Sequence, residues 1–113
     1  MELYEELQKL TDDLEISIKS LRKTGTAYAQ AEKDYKVLLR QECLKMRDEG
    51  VAIGVITLTC YGIPEVAEAR FKRDVAESIH TANKEAIAGI KLRMRLVENQ
   101  LQREWSATGT GNL

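Results

Sequence analysis

Proline occurs once in this chain of 113 residues, at position 64. A proline inside a helix removes a backbone hydrogen bond and clashes with the preceding turn, so the tracts on either side are free to form long helices. Ala, Leu, Glu, Lys and Arg, the strongest helix formers, are abundant in both tracts. In the first tract a repeat of seven residues is visible. Leu7, Leu14, Leu21, Tyr28 and Tyr35 share one position, and Leu3, Leu10, Ser17, Thr24, Ala31 and Leu38 fall three residues later. This is the spacing of a coiled-coil seam. It predicts a helix over about residues 2–49, ended by Gly50 after Arg47, Asp48 and Glu49.

Two places resist that pattern. Ser17 and Thr24 weaken the seam, and Gly25 beside them costs about 1 kcal/mol relative to Ala in a helix. A break near residues 23–26 is one reading. Residues 50–63 form an apolar connector punctuated by Gly50, Gly54 and Gly62 and rich in β-branched Val51, Ile53, Val55, Ile56, Thr57 and Thr59. It reads either as a small strand or hairpin or as a short helix, and propensity favours the strand. Pro64 is a good first helical residue, and Glu65 and Glu68 suit the positive end of a helix dipole. The second helix is expected over about 64–105, with a polar, frayed tail at 106–113. It carries two apolar stripes: Phe71, Val75, Ile79, Ala82 and Ala86, then Ile87, Ile90, Met94, Val97 and Leu101. Trp105 is expected to pack over the start of the first helix.

The expected fold is therefore all-α and a single domain over 1–113: a long antiparallel helical hairpin joined by the short apolar connector. A helix of 48 residues spans roughly 72 Å, whereas a compact domain of this length is about 35 Å across. Charge agrees with antiparallel pairing. Glu2, Glu5, Glu6, Asp12, Asp13 and Glu15 crowd the start, and Lys91, Arg93, Arg95 and Arg103 sit near the far end. A lone hairpin would leave one apolar stripe wet, so assembly into an oligomeric helical bundle is expected. A kinked three-helix monomer is the competing arrangement.

Lys plus Arg is 17 and Asp plus Glu is 18, a net charge of −1 that argues against both a bulk-charge nucleic-acid binder and an acidic DNA mimic. No apolar run is long enough to span a bilayer, and the acidic start does not resemble a targeting segment. The expected location is the cytoplasm of a host cell, with no membrane contact. His80 is the sole histidine; Glu77-x-x-His80 is a single copy of a carboxylate–histidine spacing, and no nucleophilic triad or phosphate loop is apparent. Cys43 and Cys60 lack metal-ligand spacing and read as small buried hydrophobes. The expectation is a protein without enzymatic activity, metal or cofactor.

The polar feature with most chemical content lies at the connector end. Arg40, Lys45 and Arg47 close the first helix, Arg70, Lys72 and Arg73 open the second, and Tyr61 lies between. Guanidinium groups bind phosphate bidentately, and a tyrosine ring can stack on a base. Arg47, Arg70, Lys72, Arg73 and Tyr61 are thus the candidate residues for an anionic ligand such as a nucleotide. The opposing reading pairs these cations with Asp48, Glu49, Glu68, Asp74 and Glu77.

Several runs carry a family resemblance. They are Tyr28-Ala29-Gln30-Ala31-Glu32-Lys33-Asp34-Tyr35, Leu38-Leu39-Arg40 and Met46-Arg47-Asp48-Glu49-Gly50 in the first tract. In the second they are Glu65-Val66-Ala67-Glu68-Ala69-Arg70-Phe71-Lys72-Arg73-Asp74-Val75-Ala76-Glu77, Glu85-Ala86-Ile87, Lys91-Leu92-Arg93 and Glu98-Asn99-Gln100-Leu101-Gln102-Arg103-Glu104-Trp105. Together, over residues 28–105, they resemble small uncharacterised helical proteins of phages and prophages of Gram-positive bacteria. The resemblance implies a phage-type accessory protein and carries no catalytic residue. The expected function is counter-defence: binding that inhibits a host immune protein or sequesters its nucleotide signal, by a homo-oligomer. A DNA-binding accessory of phage replication or recombination, and a structural coiled-coil protein, are the alternatives.

Overall fold

In the computed structural model, residues 2–110 are described, and they form three α-helices: α1 (Glu2–Asp48), α2 (Ile53–Tyr61) and α3 (Pro64–Thr110). The all-α expectation is met. α1 runs without a break through residues 23–26, so the unbroken helix is the reading that holds. α1 stops where Gly50 takes φ +83°, with the Gly50 N–H bonded to the Arg47 carbonyl at 3.1 Å and the Val51 N–H to the Met46 carbonyl at 3.1 Å. These two bonds make a Schellman turn, and a positive φ there favours glycine.

The strand favoured by propensity for the connector is overturned: residues 53–61 are helical. A strand needs a partner to satisfy its backbone groups, whereas a helix satisfies them internally. Helical spacing also puts Ile56 and Cys60 on one buried face, and the Thr59 hydroxyl donates back to the Val55 carbonyl at 2.9 Å. α3 then begins at Pro64, with the Ile63 carbonyl accepting from the Ala67 N–H at 2.9 Å. The end of α3 is a second correction. Residues 106–110 of the expected tail are helical, and 111–113 lie outside the described residues.

The chain divides into two compact units, Met1–Arg22 with Ala82–Leu113, and Lys23–Thr81. In the first unit α1 and α3 run antiparallel: Glu6 meets Arg93 at 3.7 Å, and the Asn83 amide donates to the Ser17 carbonyl at 3.4 Å. Leu10, Ile87 and Val97 are buried, and Leu7, Leu14, Ile90, Met94 and Leu101 are half-buried. Each fully buried aliphatic side chain contributes about 1.5–3 kcal/mol, so this seam outweighs the exposed Glu6–Arg93 pair. Trp105 does not pack as expected and is 78% exposed. Glu6 meets Arg93, so the antiparallel register carries Trp105, twelve residues further along α3, past the described start of α1 at Glu2.

The second unit contains the turn end of α1, all of α2 and the start of α3. Antiparallel pairing recurs, with Arg73 over Tyr35 and His80 against Thr24. Tyr35 is buried and Tyr28 half-buried, as their seam positions required. The inner face of α3 here is Val66, Ala69, Arg73, Ala76 and His80, not the apolar stripe of Phe71, Val75 and Ile79, which faces out. His80 is half-buried, and its Nδ1 lies 3.0 Å from the Thr24 hydroxyl. Its ring is 6.2 Å from that of Tyr28. A Cβ on Gly25 would sit 3.1 Å from His80 Cε1, so the glycine makes room for the imidazole. Gly25→Leu should therefore destabilise the protein by about 1–3 kcal/mol in urea unfolding, and His80→Ala in the same chain should recover much of that loss.

Candidate functional site

The candidate ligand residues can be placed one by one. Arg73 points into the α1–α3 seam, with its guanidinium 4.7 Å from the Tyr35 ring centroid. Its Nε and Nη2 both donate to Asp74 Oδ1, at 3.0 and 2.8 Å. The Asp74 hydrogen bond holds the guanidinium charged and raises its pKa above the ordinary arginine value. Arg73 is therefore committed to packing, and the local acid expected to compete for the cluster takes it.

Arg70 and Tyr61 are brought together, the guanidinium 5.3 Å from the ring centroid. Both residues are exposed. A cation over the ring contributes about 0.5–1 kcal/mol at such a site and occupies the ring face that a base would use. Lys72 points elsewhere. It lines one groove with Lys23, Ala27, Phe71, Val75 and Ile79, and another with Asp34, Leu38, Glu65 and Glu68. Arg47 lines a third groove of about 300 Å³, together with Arg40, Cys43, Leu44, Ile53, Ile56 and Thr57. The five candidates thus fall into a stacked pair, a seam residue and two separate groove residues. Arg40 is the cation that shares a groove with Arg47.

Two features were not read from the sequence. The first is an apolar groove between α1 and α3 within Lys23–Thr81, about 340 Å³ in volume, floored by Ala27, Ala76, Val75, Phe71 and Ile79 and edged by Lys23 and Lys72. Phe71 is 63% exposed and Ile79 54%. The stripe itself was visible as an apolar period of four, but nothing in that period says which face a helix turns inward. The second is a sulfur cluster. Cys43 Sγ and Cys60 Sγ are 3.1 Å apart, and Met46 Sδ is 3.6 Å from Cys60 Sγ. The Cys43 and Met46 spacing on one helix was available in the sequence, but the closeness of Cys60 required α2 to be a helix.

Cys60 is fully buried, and burial, reinforced by the hydrogen bond with Cys43, pushes its thiol up to about 11. Among the described residues no group of three or more His, Cys, Asp and Glu side chains is arranged to hold a metal ion. No described helix is long and apolar enough to cross a membrane. No family model matches the chain, and neither a curated protein nor a solved structure matches it.

Two outcomes follow. Arg73→Ala should destabilise the protein by about 1–2 kcal/mol through loss of the Tyr35 and Asp74 contacts, more than Arg70→Ala, measured by urea unfolding. The Cys60 thiol binds its proton more tightly folded than unfolded, so its contribution is fully present below pH 9 and is lost as pH rises towards about 11. Under reducing conditions, Cys60→Ala should flatten that part of the stability–pH curve.

Proposed function

We propose that this protein is a non-enzymatic helical binding protein that acts as a homo-oligomer and, in the phage setting suggested by residues 28–105, inhibits a host immune protein. The observation that supports this reading is the outward apolar face of α3, where Phe71, Val75 and Ile79 lie open beside Ala27 and Ala76. Covering these three side chains is worth on the order of 4 kcal/mol, and a symmetric pair of copies covers the set twice.

Inhibition by protein contact is favoured over nucleotide capture because Arg73 is held by Asp74 and Tyr35 and Arg70 covers Tyr61. Capture of an anionic nucleotide remains a second reading on one observation, the shared groove of Arg40 and Arg47. DNA binding ranks below both, given the net charge of −1.

Light scattering should give a mass at a multiple of 12.8 kDa, and Phe71→Asp with Ile79→Asp should reduce it to that of one chain without loss of helical circular dichroism. In bacteria carrying defined anti-phage defence systems, the wild-type chain should restore phage plating against at least one, and the double variant should not. A monomer in solution, or a double variant that restores plating fully, overturns the reading. Calorimetric titration with a cyclic dinucleotide that loses its heat in Arg40→Ala/Arg47→Ala would transfer the function to the second groove.

A further inference from the structure

The sulfur cluster lies where α2 folds onto α1, away from the apolar face of α3. The Cys43 S–H donates to Cys60 Sγ at 3.1 Å, and the Cys60 S–H donates to Met46 Sδ at 3.6 Å. The two thiols are free and differ in access. Cys60 is fully buried, whereas Cys43 is half-buried and lines the open groove with Arg40 and Arg47. A disulfide has an S–S length of about 2.05 Å, so the sulfurs must close by about 1 Å, within reach of small side-chain rotations. The ring so closed would span 17 positions and enclose the Gly50 turn and nearly all of α2.

We propose that Cys43 and Cys60 are a reversible dithiol–disulfide pair, in which Cys43 is the entry thiol and Cys60 the resolving thiol, and that a small-molecule disulfide of the glutathione type oxidises them. Cys43 first loses its proton to water, and the thiolate attacks one sulfur of the oxidant. The oxidant's S–S bond breaks, one small thiolate leaves and takes up a proton, and a mixed disulfide forms on Cys43. Cys60 then loses its proton and attacks Cys43 Sγ. The Cys43–Cys60 bond forms, and the second small thiolate leaves and is protonated. Two protein thiols are oxidised, and one small disulfide is reduced to two thiols.

Exposure sets this order, because an outside reagent reaches Cys43 through the groove and cannot reach Cys60 directly. Burial also keeps Cys60 protonated, which reserves it for attack on a sulfur already beside it. Arg40 and Arg47 favour the approach of an anionic thiol reagent such as glutathione. The bridge staples α2 to α1 by a bond additional to the burial of Ile56 and Cys60.

The test uses the full reduced chain incubated with oxidised glutathione at pH 8. Both alkylatable thiols should disappear, a peptide map without reductant should show residues 43 and 60 cross-linked within one chain, and dithiothreitol should reverse the change. Cys60→Ser should stop at a glutathione adduct on Cys43, and Cys43→Ser should react at least about tenfold more slowly than Cys60→Ser, since its remaining thiol is buried. The bridged chain should melt about 5 °C or more above the reduced one. Persistence of both thiols, cross-links between chains in place of the internal bridge, equal reactivity of the two variants, or an unchanged melting temperature would overturn the proposal.

Discussion

Burial of a seven-residue repeat against an antiparallel partner is the constraint on which this molecule depends. In each unit α1 presents Leu or Tyr at seam positions, and α3 supplies what fits against them. In Met1–Arg22 with Ala82–Leu113 the match is apolar on apolar, with Leu10, Ile87 and Val97 buried. In Lys23–Thr81 it is aromatic on small or cationic, with Tyr35 under the Arg73 guanidinium and His80 seated against Gly25. Removing both helices' inner faces from water stabilises helices that propensity alone would leave marginal.

The polar part of that seam explains features that look like defects in the repeat. Thr24 weakens an apolar seam, and Gly25 weakens a helix. Together they accommodate His80, whose Nδ1 lies within hydrogen-bond distance of the Thr24 hydroxyl. A satisfied polar layer of this kind fixes register, because a shift of the helices would leave the imidazole and the hydroxyl unpaired. It also uses the chain's only histidine for packing.

Because α3 spends Ala69, Arg73, Ala76 and His80 on its inner face within Lys23–Thr81, its apolar residues Phe71, Val75 and Ile79 remain outside. The surface proposed to carry function is thus a consequence of the seam. The same logic disperses the basic cluster at the connector. Each cation follows the helical position of its own Cα: Arg73 inward, Arg70 over Tyr61, Lys72 beside Phe71 and Arg47 towards α2. Nearness in sequence had suggested convergence, which these directions do not produce.

What the residues determined by themselves was the long-helix architecture, the inner face of α1, the Gly50 stop and the Pro64 start. Each is local: a repeat of seven, a glycine able to take φ +83°, a proline whose missing N–H costs nothing in the first turn. Tertiary structure decided that residues 53–61 are helical against their β propensity, that His80 lies inside and Phe71 and Trp105 outside, and that Cys43 meets Cys60. These outcomes depend on which side chains fill the space opposite. A partner helix rewards shape and hydrogen-bond fit as much as hydrophobicity, and no periodicity in one segment records what its neighbour will offer.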